Sequence, residues 1–305
     1  MTKKIKSRCI ISSAAFAVKK SLITQYDPLI QKPPVIGDLV FGEVSTLGHH
    51  SIIESKSSRK HTLNVGTRAI FVFGNRYAPD QFEGIVPKLS QEFVDLFSQG
   101  GVIGNVKTQS QLIGVPTKIK VLGYVCDNRG NVINTTKHKL INPNNDKKNK
   151  GRAKLILCVG TSMNSGKTHA AAACCYAISS MGKSSRAAKI TGTASLKDIL
   201  LMNDCGADHV VDFTYFGYPS TYMMEEAKLL EMFRNFDDKY GNNPKNYIVV
   251  EFADGIFQRE TAMLLKMPEI QKRISKLVFC APDSTAVFGG LYALQDKFGL
   301  VPDAI

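Results

Sequence analysis

The stretch that decides the fold runs from residue 154 to residue 168 and reads Lys-Leu-Ile-Leu-Cys-Val-Gly-Thr-Ser-Met-Asn-Ser-Gly-Lys-Thr. Residues 155–159 form an apolar run typical of a buried strand, and the Ala-rich residues 169–180 are typical of a helix. Between them lies a loop of small and polar residues. Because successive backbone N–H groups and the positive end of a helix attract anions, this order predicts a phosphate-binding loop. The predicted phosphate contacts are Gly160, Thr161, Ser162, Met163, Asn164, Ser165, Gly166, Lys167 and Thr168.

Two side chains at the end of this loop carry specific chemistry. The Lys167 ammonium would place a positive charge on the β- and γ-phosphates, and the Thr168 hydroxyl would be a ligand of Mg²⁺. The spacing is longer than usual, because Gly160 and Gly166 enclose five residues and Thr161 stands where the first glycine is expected. A chance Gly-Lys-Thr after an apolar stretch is the alternative. The order of strand, loop and helix favours the nucleotide site.

The loop resembles the Gly-Thr-Asp-x-x-x-Gly-Lys-Thr loop of dethiobiotin synthetase. That family belongs to a wider class of P-loop proteins, which includes the cobyrinate amide synthases and the partition ATPases. Partition ATPases carry a second lysine five residues before the loop lysine, and Ser162 occupies that position here. The resemblance is therefore to the synthetase-like branch; it covers at most residues 153–305, and only the loop is highly specific. It implies ATP and Mg²⁺ as cofactors and transfer of the γ-phosphoryl group to an acceptor such as a carboxylate.

Ligands of open α/β sheets bind beyond the carboxyl ends of the strands, so polar residues at those ends are candidates for the site. Residues 247–255, Tyr-Ile-Val-Val-Glu-Phe-Ala-Asp-Gly, resemble the Val-Glu-Gly-x-Gly-Gly segment of the synthetase. Glu251 matches the Mg²⁺-binding glutamate of that segment. Phe252 and Asp254 replace two of its glycines, which indicates a different substrate beside the phosphates. A strand-ending acid at a turn is the alternative for Glu251.

Two other predicted strands also end in charged residues. Lys189 begins Lys-Ile-Thr-Gly, which resembles the Lys-Pro-Val-x-x-Gly segment whose lysine faces the substrate and the γ-phosphate. Asp212 ends an apolar strand, where an acid can hold Mg²⁺ directly or through water. The alternatives are a surface lysine and an aspartate that caps the next turn. The predicted catalytic residues are thus Lys167, Lys189 and Glu251, and the predicted metal ligands are Thr168, Asp212 and Glu251.

Four further side chains are candidates for the substrate cleft, namely Thr191, Ser220, Thr221 and Arg259. Thr191 follows the strand predicted over residues 185–190. Either Ser220 or Thr221 could instead be the N-cap of a helix predicted over residues 221–236. Arg259 could meet developing phosphoryl charge or be a solvated helix residue.

Strands and helices alternate after the loop, which predicts an α/β domain with a mostly parallel sheet over residues 153–305. The predicted strands are 185–190, 208–213, 247–251 and 276–280, and the predicted helices are 195–203, 221–236, 258–265 and 286–298. A further strand would begin at residues 301–305. A domain truncated at its C-terminus is therefore an expectation, with an unusually early end as the alternative.

The N-terminal half has a different pattern. Residues 1–138 contain Val-, Ile- and Phe-rich segments between turn residues, which predicts a mainly β domain, barrel-like or sandwich-like. One helix is predicted within it, over residues 90–98. His49 and His50 have no partner at ligand spacing and are assigned to the surface. Residues 139–152 are polar and basic and contain Pro and Gly, which is typical of a linker.

The net charge of +13 lies entirely in the N-terminal half: residues 1–152 hold 23 Lys and Arg against 10 Asp and Glu, and residues 153–305 hold 16 of each. A basic half of this kind can bind nucleic acid, and a solvated lysine-rich face is the alternative. The chain has no apolar run of transmembrane length, which predicts no membrane contact. Its seven cysteines include no Cys-x-x-Cys pair and are interpreted as reduced buried thiols, which together with the nucleotide loop predicts a cytoplasmic protein. No Asn-Lys-x-Asp guanine motif follows a late strand, which favours ATP over GTP. We also expect a homodimer.

Two functions agree with these patterns. The first is an ATP- and Mg²⁺-dependent synthetase or kinase that transfers the γ-phosphoryl group to a small-molecule acceptor. The altered glycine segment and the added N-terminal domain argue against dethiobiotin synthesis itself. The second is a regulatory ATPase whose basic N-terminal domain binds nucleic acid or a protein partner.

Overall fold

A computed structural model describes residues 2–6, 8–142 and 151–305 of the chain. Part of the predicted linker over 139–152, residues 143–150, lies outside the described residues. The described chain divides into two compact units. The first unit takes in the described residues up to Leu140 together with Thr193–Leu196 and Phe213–Tyr222, and the second takes in the rest of the described chain. The sequence pattern alone assigns both inserted segments to the domain over 153–305.

The first unit is built mainly of β-strands. They are β1 (Lys3–Lys4), β2 (Ile10–Ile11), β3 (Gln25–Asp27), β4 (Leu39–Thr46), β5 (Ile52–Glu54), β6 (Lys60–Thr62), β7 (Arg68–Phe73), β8 (Arg76–Tyr77), β9 (Phe82–Ile85), β10 (Phe93–Leu96), β11 (Val102–Gln109) and β12 (Thr117–Cys126). Short 3-10 turns occur at Ser13–Ala15, Lys20–Leu22, Thr135–Lys137 and Phe213–Phe216.

Five of these strands pair in a closed ring. β12 pairs with β4, β4 with β7, β7 with β11, β11 with β10, and β10 with β12; only the β7–β11 pair is parallel. Their inward residues alternate with outward ones, and Val40, Phe71, Leu96, Ile103 and Ile119 belong to one buried cluster. The bounds predicted for a separate β domain stay a prediction.

The helix predicted over residues 90–98 is wrong, because that segment contains strand β10. Val94 and Leu96 are buried in the core, and Asp95 between them accepts a hydrogen bond from the Val106 backbone N–H at 2.9 Å. Pairing with a strand on each side outweighs the local preference of a short segment for a helix. The surface assignment of His50 is also wrong, since its side chain is only 4% exposed.

The second unit alternates strands and helices. Its strands are β13 (Lys154–Gly160), β14 (Ser185–Lys189), β15 (His209–Asp212), β16 (Tyr247–Glu251) and β17 (Ile274–Cys280). Its helices are α1 (Lys167–Ser180), α2 (Lys197–Asp204), α3 (Glu226–Tyr240), α4 (Arg259–Lys266), α5 (Pro268–Gln271) and α6 (Ser284–Phe298). The helix predicted over 221–236 begins later than expected, at α3, whose N-cap is Glu225.

The five strands form one parallel sheet in the order β15-β14-β16-β13-β17. The prediction of a mostly parallel α/β sheet is thereby confirmed. Apolar strands of this kind are buried when helices cover both faces of the sheet. None of the helices in the described part of the chain has the length and apolar content that a membrane span requires.

The register of the sheet places the predicted site residues in one row. Cys158 of β13 is paired with Glu251 of β16, Glu251 with Lys189 of β14, and Lys189 with Asp212 of β15. These residues lie at or next to the carboxyl ends of four neighbouring strands. The sheet therefore gathers charged side chains from distant parts of the sequence beside the loop that follows β13.

Candidate functional site

The loop between β13 and α1 folds tightly over its first glycine. A Cβ atom added to Gly160 would lie 2.2 Å from the Ser165 Oγ and 2.7 Å from the Cys280 carbonyl oxygen, so no side chain fits there. Gly166, directly before α1, has φ +97°, and Asn164 has φ +64°. The left-handed backbone at these two positions turns the chain into the helix. Glycine adopts this conformation at low energetic cost.

Lys167 is folded back onto the loop. Its side chain is 5% exposed, and its Nζ donates to the Ser162 carbonyl oxygen at 2.6 Å and to the Ser165 Oγ at 3.3 Å. Burial lowers the pKa of this ammonium, although the Glu251 and Asp254 carboxylates oppose the shift. The Ser162 carbonyl oxygen is a neutral acceptor for the Lys167 ammonium. Phosphate oxygens would give this ammonium an anionic acceptor, which forms a stronger hydrogen bond.

Thr168 and Glu251 meet at the start of α1. The Thr168 Oγ1 donates to the Glu251 Oε1 at 3.2 Å. Glu251 is 1% exposed, and its second oxygen, Oε2, has no hydrogen-bond partner among the described residues. A buried carboxylate oxygen without a partner is costly unless a cation or water completes its shell.

The donor set fits Mg²⁺ rather than a metal held by protein alone. Within the described ranges, no three or more His, Cys, Asp or Glu side chains converge as a metal site. Mg²⁺ commonly takes one or two carboxylates, several waters and the phosphates of its substrate. Thr168 and Glu251 supply such a partial shell of hard oxygen ligands.

Lys189 lies beside the same carboxylate. Its Nζ forms an ion pair with Asp198, and it is 3.5 Å from the Glu251 Oε1. Burial alone would lower the pKa of Lys189, but Glu251 and Asp198 outweigh it and the pKa is raised. The ammonium therefore stays charged across the physiological range, as a group that neutralises a phosphoryl oxygen must.

Asp212 is buried at the end of β15, the edge strand of the sheet. In the register Lys189 stands between Asp212 and Glu251, and two strand spacings separate their backbones by about 9.6 Å. The pairing of the strands thus brings Asp212 next to Lys189. Its role as a metal ligand stays a prediction.

The four substrate candidates are in different places. Thr191 is buried, and its Oγ1 accepts from the Ala253 N–H at 2.7 Å. The Arg259 Nη1 donates to the Met224 carbonyl oxygen at 2.9 Å and to the Glu260 Oε1 at 2.6 Å.

Ser220 and Thr221 belong to the first unit. The Ser220 Oγ accepts from the Tyr222 N–H at 3.1 Å. The N-cap role considered for Ser220 and Thr221 is wrong, because α3 begins five residues later than Thr221, at Glu226.

The segment after Glu251 contacts the loop more closely than the sequence indicates. A Cβ atom on Gly255 would lie 2.1 Å from the Thr161 carbonyl oxygen, and the Ile256 N–H donates to the Gly160 carbonyl oxygen at 2.9 Å. Asp254, between them and the strand, has φ +60°. The only sequence signal for this residue is an acid at a position where the related segment has glycine.

No protein-family model matches the chain, and no match was found among curated proteins. Among solved structures, it is similar to the kinase domain of the Escherichia coli tyrosine kinase ETK, with a TM-score of 0.37 and 10% identity over 50% of this chain and 66% of that chain. It is also similar to a ParA family ATPase from Chlorobium tepidum TLS, with a TM-score of 0.31 and 16% identity over 50% of this chain and 72% of that chain. Similarities with TM-scores this low do not support a function. The functional assignment rests on the contacts among the loop, Glu251 and Lys189.

Proposed function

We propose that the chain is a P-loop NTPase that binds ATP with Mg²⁺ at residues 160–168 and transfers the γ-phosphoryl group. The observation that carries this proposal is the contact of the Thr168 hydroxyl with Glu251, whose second carboxylate oxygen is buried without a partner among the described residues. Phosphoryl transfer needs this hydroxyl and an acid at the end of a neighbouring strand, on the same side of the sheet as the loop lysine.

Each charged group has a distinct task in this proposal. Lys167 exchanges the Ser162 carbonyl oxygen for phosphate oxygens, and Thr168 and Glu251 hold the cation directly or through water. Mg²⁺ held by Thr168 and Glu251 would supply positive charge against the negative charge of the phosphates. Lys189, kept charged by its carboxylate neighbours, stabilises the transferring group. Catalysis is then largely positioning and charge stabilisation.

The acceptor proposed from the resemblance to dethiobiotin synthetase is a small molecule with a carboxylate. A carboxylate oxygen can attack the γ-phosphorus without losing a proton, so this reaction needs cationic groups to bring two anions together. Lys167 and Lys189 are such groups. The synthetase-like branch and the homodimer belong to this proposal as well.

Calorimetric titration of the full chain with a non-hydrolysable ATP analogue and Mg²⁺ tests the nucleotide site. We expect the variant Lys167→Ala to lose at least tenfold in affinity, because the buried ammonium is the main positive charge inside the loop. Lys183→Ala removes an exposed lysine beyond the far end of α1 and should bind as the wild type does. Equal affinity of all three proteins would refute the site.

A regulatory ATPase is the second candidate, and the uneven charge favours it. The excess of +13 lies within residues 1–152, outside the half with the loop. Anisotropy titrations of labelled DNA and RNA with the full chain would show a negative slope of log K against log salt if several phosphates are contacted. The affinity should then also differ between the ATP-bound and ADP-bound protein. Binding that does not depend on the salt concentration, or the absence of binding, would contradict the regulatory ATPase and favour the first candidate.

A further inference from the structure

The first unit contains a pocket between the segment around β2 and the 3-10 turn at Lys20–Leu22. One wall includes Ile5 and Ile11, the other includes Lys20 and Ile23, and the cavity has a volume of about 420 Å³. The Ile5 backbone N–H donates to the Thr24 carbonyl oxygen at 2.8 Å and joins the two walls. Pockets for small molecules have volumes of about 300 to 1,000 Å³. This pocket is therefore large enough for a small organic ligand.

Three isoleucines give the pocket an aliphatic surface, namely Ile5, Ile11 and Ile23. The Ile10 side chain packs against the core of the first unit. Because successive residues of a strand point to opposite sides, Ile11 points away from that core and toward the pocket. Ile23 is 7% exposed, whereas Ile5 and Ile11 are half-buried. An apolar ligand would remove the remaining aliphatic surface from water, which favours its binding.

Backbone hydrogen bonds hold both walls in place. On one side, β2 pairs in parallel with β7, and the Ile11 carbonyl oxygen accepts from the Lys56 N–H at 2.8 Å. On the other side, the Ile23 N–H donates to the Lys20 carbonyl oxygen at 3.1 Å. The aliphatic surface is thus formed before a ligand arrives, and binding does not need to order either wall.

Two ammonium groups line the same pocket, Lys6 from one wall and Lys20 from the other, and both side chains are exposed. Neither lysine forms an ion pair with any residue in the described part of the chain. Residues 1–26 contain five Lys, one Arg and no Asp or Glu. Because no acid of this segment neutralises these charges, the pocket attracts anions. The Ser21 and Thr24 side chains, which also line it, add hydroxyl donors.

Aliphatic surface and uncompensated positive charge together select one class of ligand. Sites for single-stranded nucleic acid stack the bases on aromatic side chains, and none of the described side chains that line this pocket is aromatic. An inorganic anion would leave the aliphatic surface in contact with water. An anion with an aliphatic chain satisfies both parts of the pocket.

We propose that this pocket binds a free small amphipathic anion, with its aliphatic chain on Ile5, Ile11 and Ile23 and its carboxylate or phosphate head at Lys6 and Lys20. Both kinds of head accept charge-assisted hydrogen bonds from ammonium groups. The site is separate from the proposed nucleotide site, because all of its residues belong to the first unit.

Calorimetric titration of the full chain with hexanoate, octanoate and octyl phosphate tests the proposal. The affinity should rise about fourfold for each methylene that is buried, or about 15-fold from hexanoate to octanoate. Octyl phosphate should bind at least as tightly as octanoate. The uncharged 1-octanol and the cationic octylamine lack the anionic head and should bind about tenfold more weakly than octanoate.

Variants of the two lysines test the head of the ligand. Lys6→Ala and Lys20→Ala should each weaken the binding of octanoate about fivefold, as expected for the loss of one exposed ion pair. Lys19→Ala is the matched control, because Lys19 is an exposed neighbour of Lys20 that does not line the pocket. It should bind octanoate as the wild type does.

Alkylation of Cys9 shows whether the ligand occupies this pocket. The Cys9 thiol lines the pocket, and burial raises its pKa to about 11, so its reaction with iodoacetamide is followed at pH 9 by peptide mass spectrometry. Saturating octanoate should slow the alkylation of Cys9. It should leave unchanged the alkylation of Cys205, a half-buried thiol of the second unit.

Equal affinity for octanoate and 1-octanol would overturn the proposal, because the lysines would then have no part in binding. Wild-type affinity of both lysine variants, unprotected Cys9 or the absence of octanoate binding would overturn it as well. Binding to vesicles that contain phosphatidylserine, without binding of free octanoate, would assign the lysines to a membrane surface and also overturn it.

Discussion

His50 should make the stability of the protein depend steeply on pH below neutrality. Its Nε2 lies 2.7 Å from the Phe97 carbonyl oxygen and 3.3 Å from the Arg76 Nη1, and its side chain is 4% exposed. Burial, and next the charge of Arg76, lower its pKa from the ordinary 6.5 to about 3. The native protein therefore holds this imidazole neutral at pH values where the unfolded chain would protonate it.

The sign and size of the pH effect on the free energy of unfolding follow from the difference between the native and the unfolded pKa of His50. Between pH 6.5 and about 3 the unfolded state binds a proton that the native state does not, so the free energy of unfolding falls as the pH falls. Each pH unit in this window costs about 1.4 kcal/mol, which amounts to about 3 kcal/mol at pH 4. Above pH 6.5 both states are neutral at this residue and the contribution is constant.

Urea unfolding of the wild type, His50→Gln and His49→Gln at pH 7, 6, 5 and 4 checks this prediction. We expect His50→Gln to be less stable at pH 7, because a buried ring is replaced. Its stability should, however, decline more slowly than that of the wild type, by about 1.4 kcal/mol less for each pH unit below 6.5. His49 is exposed and its charge is the smallest of the causes that shift the pKa of His50, so its variant should deviate only slightly from the wild type. Parallel curves for the wild type and His50→Gln would refute the reasoning.

Three further predictions concern the second unit. Gly255→Ala should abolish binding of Mg²⁺-ATP in calorimetry, because the new Cβ would lie 2.1 Å from the Thr161 carbonyl oxygen and displace the loop. A variant that binds with wild-type affinity would contradict this prediction. Glu251→Gln should keep affinity for ATP without metal but lose most of the gain on adding Mg²⁺, as titrations with and without EDTA would show; an unchanged gain would exclude the assigned metal role. Asp237→Asn should lower the free energy of unfolding by about 2 kcal/mol in urea titrations, because the buried Asp237 carboxylate accepts two hydrogen bonds from Arg273. A loss below about 0.5 kcal/mol would contradict this prediction.

The sequence predicts the second unit well because its signals are local. Each strand is a short apolar run between polar turns, and the loop residues lie next to one another in the chain. The strand predicted over residues 247–251 is observed with the same bounds. The row formed by Cys158, Glu251, Lys189 and Asp212 follows once the strands are parallel, because their carboxyl ends then meet at one edge.

Features set by contacts between distant residues are not predictable in this way. The segment over 90–98 contains a strand because it pairs with β11 and β12, and no local sequence pattern predicts this pairing. His50 is buried by Phe82 and Arg76, which lie over 25 residues away in the sequence. The close approach of Gly255 to Thr161 likewise depends on how two loops fit together, so the strained position of Asp254 cannot be foreseen.

The division into two units bears on how the protein can be dissected. The chain passes from one unit to the other after Leu140, Gly192, Leu196, Asp212 and Tyr222. A gene cut between the halves would therefore separate Phe213 and Phe216, both buried, from the rest of the unit to which they belong. Such a fragment should express as insoluble material, so the proposed nucleotide binding and nucleic-acid binding are better tested separately with point variants of the intact polypeptide.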